Sequence, residues 1–187
     1  MSFTTADEPL QSSYCYGFED LAPEQYPWNY SWYRPLMYGA EPRAETSAHS
    51  GTYKMYLRAY YENSPSTSNM SLAAMPYLEE DDLEGLTLRF WAHGSGSNSR
   101  LKIGIMTDPT DTSTFTTLQT LTVDHWDWRQ YSVDLGQYSG TGRHIAFWLY
   151  CLPNWNSGYF YFDDITISRC RLNDIRSYSN TSTGFSI

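Results

Sequence analysis

Two segments constrain this chain more than any others. Gly17-Phe18-Glu19-Asp20 opens the patterned region, and Tyr159-Phe160-Tyr161-Phe162-Asp163-Asp164-Ile165-Thr166-Ile167 closes it. Everything between them reads as short β-strands and loops. A chain framed this way is expected to form one β-sandwich whose first and last strands lie side by side. That architecture points towards a binding or adhesion module and away from a catalytic domain.

The strands are read from alternation bounded by turn residues. A first strand is expected near Tyr14–Glu19. Gly51–Tyr61 places Tyr53, Met55, Leu57 and Ala59 on one face and Lys54, Tyr56, Arg58 and Tyr60 on the other, as a half-exposed strand does. Further strands are expected at 70–78, 86–93, 101–106, 115–123, 129–135, 144–150 and 159–167. Leu86, Leu88 and Phe90 face one way, and the Asp108-Pro109 turn ends the 101–106 strand. Prolines between Pro23 and Pro42 forbid a helix, so a long loop with a short strand is expected there. Glu79–Glu84 reads as a solvated acidic turn. About nine or ten strands with no long amphipathic helix imply an all-β sandwich with jelly-roll topology. Residues 1–13 are expected to be a disordered N-terminal segment, 14–170 the sandwich domain, and 171–187 a tail or linker.

The chain has 187 residues, enough for one domain that buries a core without disulfides or metals. Its net charge of -9 repels phosphate backbones and anionic membrane surfaces, so nucleic-acid binding is excluded. Acidity suits divalent cations and neutral polar ligands such as glycans. No apolar run approaches the roughly 18 residues needed to span a bilayer, so direct membrane insertion is not expected. Aromatic residues reach 17 %, with 17 tyrosines, and Gly, Ser, Thr and Asn fill the rest, as in extracellular β-proteins. An exported protein, secreted or cell-surface, is therefore expected, its signal peptide not included in this sequence. The three cysteines leave two readings open. Cys15 and Cys170 flank the framing motifs and could bridge, or all three, with Cys151, are reduced thiols.

Loop aromatics are the candidate ligand contacts. Trp28 and Trp32 lie in the Pro-bounded loop, Trp126 lies beside His125 and Asp127, and Trp155 sits between Asn154 and Asn156. A sugar ring stacks on an exposed aromatic face while amides bind its hydroxyls. Trp155 and Trp32 are expected to be exposed. The alternative is that these rings plug the ends of the sandwich. The histidines at 49, 93, 125 and 144 are scattered, with no HExxH or GxSxG motif. Asp163 and Asp164 are successive strand residues, expected on opposite faces and unable to flank one substrate bond. No catalytic residues are assigned.

Several short motifs in order carry a resemblance. Phe18-Glu19 is followed by Ser50-Gly51 and then by Leu86, Leu88, Phe90 and Trp91. Ile103-Gly104-Ile105-Met106-Thr107-Asp108-Pro109 comes next, with Phe115 shortly after. Trp128, Asp134-Leu135, His144-Ile145-Ala146-Phe147 and Asp163-Asp164-Ile165 complete the order. This resembles the jelly-roll modules of Bacteroides-type surface proteins, namely the choice-of-anchor and cleaved-adhesin domains and, more distantly, the MAM domain. The resemblance implies a galactose-binding-like or concanavalin-like sandwich within a larger surface protein. It implies non-catalytic adhesion or carbohydrate binding, with a glycan or glycoprotein as partner. The alternatives are a structural spacer, a protein–protein interaction module, or an accessory domain of a glycan hydrolase. It also implies a structural calcium joining Glu19, the His49–Tyr53 loop (His49 and Thr52) and Asp163 or Asp164. Otherwise those carboxylates cap hydrogen-bond networks on a solvated edge.

Overall fold

Alternating apolar residues become strands that each give one face to a common core. The computed structural model describes residues 13–19, 32–36, 43–45, 47–61, 68–80, 82–95, 99–152 and 157–169. In chain order the strands are β1 (Ser13–Tyr16), β2 (Tyr33–Leu36), β3 (Arg43–Glu45), β4 (Lys54–Tyr61), β5 (Ser68–Asn69) and β6 (Ser71–Ala74). They continue with β7 (Leu86–Ser95), β8 (Ser99–Met106), β9 (Thr116–Leu121), β10 (Arg129–Asp134), β11 (His144–Cys151) and β12 (Ser157–Arg169). Two 3-10 turns, Thr112–Thr114 and Leu135–Gln137, are the only helical elements among the described residues. No described helix is long and apolar enough to cross a membrane.

Two antiparallel sheets form the sandwich. One runs β10-β7-β12-β4-β3, with β1 also on β12 and β5 also on β4; the other runs β2-β6-β11-β8-β9. The first and last strands are neighbours as expected: Tyr14 lies opposite Ile167, and Tyr16 opposite Ile165. One edge of β12 is shared. Its second half takes β1, and its first half takes β4 over Ser157–Phe162. The register against β7 shifts between Asp163 and Thr166, and Asp164 has a φ of 48°. This bulge divides the strand where the two partners change over.

The core lies between the sheets. Met55, Leu57 and Ala59 of β4, Leu86, Leu88 and Phe90 of β7, and Phe160 and Phe162 of β12 meet Leu101, Ile103, Ile145 and Phe147 from the facing sheet. Phe147 stacks on Phe162 with centroids 4.7 Å apart, and Phe90 meets Phe147 edge-on at 5.3 Å. Burying one such ring stabilises the fold by about 1.5–3 kcal/mol.

Three expectations change, and one open question narrows. Trp32 is buried, 6 % exposed, and packs against Phe18, Phe147 and Phe162. It plugs the sandwich because it immediately precedes β2, which hydrogen-bonds to β6 and turns the indole inward. The outward face of β4 is not half-exposed throughout, since Lys54 and Tyr56 are buried under neighbouring rings. The acidic turn is held rather than simply solvated. Arg169 binds Glu80 Oε2 at 2.9 Å and Asp82 Oδ1 at 3.1 Å, and Arg143 Nε donates to the Glu80 carbonyl at 2.6 Å. Cys15 is an exposed free thiol. Cys151 is buried, donates to the Ala59 carbonyl, and has its pKa pushed up by burial to about 11. Cys170, Trp28, Asn154, Trp155 and Asn156 lie outside the described residues.

Candidate functional site

The outward residues of β4, β12 and β7 form one aromatic face. Period two sets them in rows across the sheet. Tyr161 lies opposite both Tyr56 and His93, and Tyr159 lies opposite both Arg58 and Ser95. Tyr56 packs on Tyr161 at 5.1 Å and on Tyr159 at 6.0 Å. His93 stacks flat on Tyr161 at 4.6 Å, and Trp128 meets His93 edge-on at 4.4 Å. Trp91, one row further, carries the His49 ring stacked at 4.0 Å. Except for the buried Tyr56, these rings are half-buried, so each keeps an accessible edge or face.

Cations are set into this face. The Lys54 ammonium sits 4.2 Å from the Tyr161 centroid and 5.8 Å from that of Trp128. It also lies 3.4 Å from His93 Nε2. An ammonium can only donate, so that nitrogen is the acceptor and the His93 proton falls on Nδ1. Nδ1 is buried and has no hydrogen-bond partner. Burial, followed by the charges of Lys54 and His125, pulls the His93 pKa down to about 4. The ring is therefore neutral at physiological pH. At the end of the tyrosine row, the exposed Arg58 guanidinium lies 5.6 Å from the Tyr159 ring and 5.8 Å from the Tyr60 ring.

The loop between β9 and β10 borders the face through Trp128. His125 fixes it: Nδ1 lies 2.7 Å from the Asp127 carbonyl, Nε2 lies 2.6 Å from the Tyr131 hydroxyl, and the His125 carbonyl accepts from Gly94 N at 2.9 Å. Gly94 also lets β7 lie close to β12, since a Cβ there would stand 2.5 Å from the Tyr159 carbonyl. Trp128 turns inward while Trp126 is left 70 % exposed, as its candidacy as a ligand contact requires.

Beside the face, the loop before β4 is hydrogen-bonded by Glu19 at one end and by Asp163 and Asp164 at the other. Glu19 follows β1, His49 to Tyr53 precede β4, and Asp163 and Asp164 form the bulge of β12. Glu19 Oε1 accepts from Thr52 N and Tyr53 N, both at 2.8 Å. Asp163 Oδ2 accepts from His49 N at 2.9 Å and Ser50 N at 3.2 Å. Asp164 Oδ2 pairs with His49 Nδ1 at 2.6 Å, and its Oδ1 accepts from Ser50 Oγ at 2.6 Å. Alternation had separated the two aspartates onto opposite faces. The positive φ of Asp164 cancels that separation, and both carboxylates address the same two residues. Asp163 is fully buried, and burial, with the charge of Asp164, raises its carboxyl pKa against the lowering effect of its N–H donors. Thr52 contributes its backbone N–H. Among the described residues no three His, Cys, Asp or Glu side chains converge as a metal site. The corner therefore fits a cation in part: its carboxylates have the right chemistry, but several of their oxygens already accept N–H groups.

Sequence reasoning singled out Trp126 and the corner residues as candidates but not Lys54, Tyr56, Trp91, His93, Tyr159 and Tyr161. Their signal was the outward register of β4, β7 and β12, which singles out no residue until the strands are known to be adjacent.

Two groups elsewhere lie apart from this face. Lys102 lies 5.7 Å from the Trp148 ring and 4.9 Å from the Tyr150 ring on the outer face of the five-stranded sheet. A polar pocket of about 250 Å³ lies between the acidic turn and Gly136–Arg143.

No protein-family model matches the chain, and neither does any curated protein sequence. Solved structures share its fold. The K2 cleaved adhesin domain of Lys-gingipain matches with a TM-score of 0.59 at 16 % identity, covering 83 % of this chain and 99 % of that one. TmCBM61, solved in complex with β-1,4-galactotriose, matches with a TM-score of 0.51 at 15 % identity, covering 82 % and 94 %. The CBM22-1 xylan-binding domain from Paenibacillus barcinonensis Xyn10C matches with a TM-score of 0.50 at 11 % identity, covering 83 % and 92 %. The chain thus has the β-sandwich fold of an adhesin-like jelly-roll module.

Proposed function

We propose that this protein is a non-catalytic binding module of a larger exported or cell-surface protein, taking carbohydrate on the outer face of its seven-stranded sheet. The observation that carries the reading is the half-buried ring row of Tyr159, Tyr161, His93 and Trp128 across β12, β7 and the loop before β10. Rings present apolar faces to the C–H surface of a sugar, and the nitrogen donors meet its oxygens. The exposed Trp126, on the loop that His125 braces, supplies a further stacking surface. A non-catalytic role is supported by the use of Asp163 and Asp164, whose carboxylates are taken up by His49 and Ser50 instead of facing each other across a cleft. The fold shared with carbohydrate-binding modules and cleaved adhesin domains is compatible with this reading.

A structural calcium at the Glu19–Asp163–Asp164 corner belongs to the same proposal. Its support is that carboxylates from both ends of the chain bind the one loop His49–Tyr53. Backbone carbonyls would complete the six to eight oxygens that calcium takes.

The test is retention on an immobilised glycan panel by the native protein and by Tyr159→Ala and Trp126→Ala. Retention of at least one glycan that falls about tenfold or more in Tyr159→Ala is the expected result. No retained glycan, or retention untouched by both substitutions, would overturn the reading and favour a spacer or protein-contact role.

A further inference from the structure

Arg58 is an exposed cation at the border of the candidate face. Arg169 is paired with Glu80 and Asp82, and His49 with Asp164. Arg58 is exposed, lies between the Tyr159 and Tyr60 rings, and has no carboxylate partner among the described residues. Its position at the end of the ring row holds the guanidinium beside the very surface on which a sugar would stack. Lys54 is buried beneath the rings, so the Arg58 guanidinium is the exposed cation at this border of the face. In backbone register, Arg43 lies opposite Tyr56 and Glu45 opposite Lys54. Asp163, the carboxylate in register with Trp91, is fully buried and already accepts three N–H groups. An exposed guanidinium with no carboxylate partner among the described residues stands out on a chain of net charge -9.

We infer that the ligand of this face is an acidic glycan, bearing a carboxylate or a sulfate ester, and that Arg58 reads its charge. This rests on the carbohydrate reading above. A carboxylate or sulfate is an acceptor-only group with the geometry to take two parallel N–H bonds from one guanidinium. The flanking tyrosines hold the guanidinium plane and carry the sugar ring next to it.

Matched polymers isolate the charge. Polygalacturonate is compared with its methyl ester, and sulfated carrageenan with neutral agarose, each by affinity electrophoresis against the native protein, Arg58→Ala and Arg58→Lys. The expected result is that one charged polymer retards the native protein about tenfold more strongly than its neutral partner. That preference is lost in Arg58→Ala, is partly kept in Arg58→Lys, and shrinks with added salt. Which pair responds separates carboxylate from sulfate. Equal retardation within both pairs, or a preference that survives Arg58→Ala, would overturn the inference. In that event, neutral-glycan binding that still depends on Tyr159 leaves the carbohydrate reading standing, whereas no binding by any glycan removes both.

Discussion

His93 links the chemistry of the face to the stability of the fold. Its ordinary pKa is near 6.5, and in the folded chain it is pulled down to about 4. Between those values the unfolded chain carries a proton that the folded chain does not, so stability falls as pH drops from about 6.5 towards 4. Protonation would place two cations 3.4 Å apart, at Lys54 Nζ and His93 Nε2. His144, whose pKa burial also lowers, acts with the same sign. Asp163 acts with the opposite sign, because its raised carboxyl takes up a proton in the fold before it would in the unfolded chain. His93→Gln is expected to flatten the pH dependence of the denaturation midpoint between pH 4 and 6.5 by up to about one proton. An unchanged slope would mean that the ring titrates alike in both states. The tryptophans divide just as sharply. Trp32→Ala should destabilise by about 3–5 kcal/mol, as for a core aromatic. Trp126→Ala should change stability by less than about 0.5 kcal/mol while weakening ligand binding. Equal losses of stability would contradict the placement of the two indoles.

At the scale of elements, the bulge of β12 decides where the site forms. It ends the pairing with β4, begins the pairing with β1, and turns two aspartates towards the loop that precedes β4. Gly51 makes the joint tight. Its φ is +64°, and a Cβ there would lie 2.4 Å from Glu19 Oε1. Gly51→Ala should therefore cost about 1 kcal/mol or more in denaturant unfolding, and a neutral result would show that the Glu19 contact is dispensable. If calcium occupies the corner, it binds the folded state alone. A free concentration one hundred times its Kd would then add about 2.7 kcal/mol, reversed by chelator and abolished by Glu19→Gln. Thermal midpoints that ignore both calcium and chelator would leave a corner held by hydrogen bonds alone. The framing motifs made the pairing of β1 with β12 legible, since the chain ends are neighbours, and Glu19 and Asp163 both bind the loop before β4. Simple alternation could not foresee the bulge, because a single positive φ at a non-glycine residue leaves no mark in the pattern.

At the scale of the molecule, the sandwich has two outer faces, and sequence alone did not separate them. Alternation correctly assigned Lys54, Tyr56 and Arg58 to one side of β4. Nothing in the sequence said that β12 and β7 would set Tyr159, Tyr161, His93 and Trp91 alongside them, because sheet order is a long-range property. The attention given to Trp32 failed for a related reason: a proline-bounded loop looks exposed until its strand joins a sheet. The face around Tyr161 carries more rings than the group around Trp148 and Lys102, and is the expected ligand surface. The most direct test is the indole N–H spectrum of the protein titrated with the glycan it retains best. The account predicts shifts at Trp91 and Trp128, which belong to the face, with Trp32 and Trp148 unmoved. Shifts confined to Trp148, or no glycan that moves any indole, would contradict it.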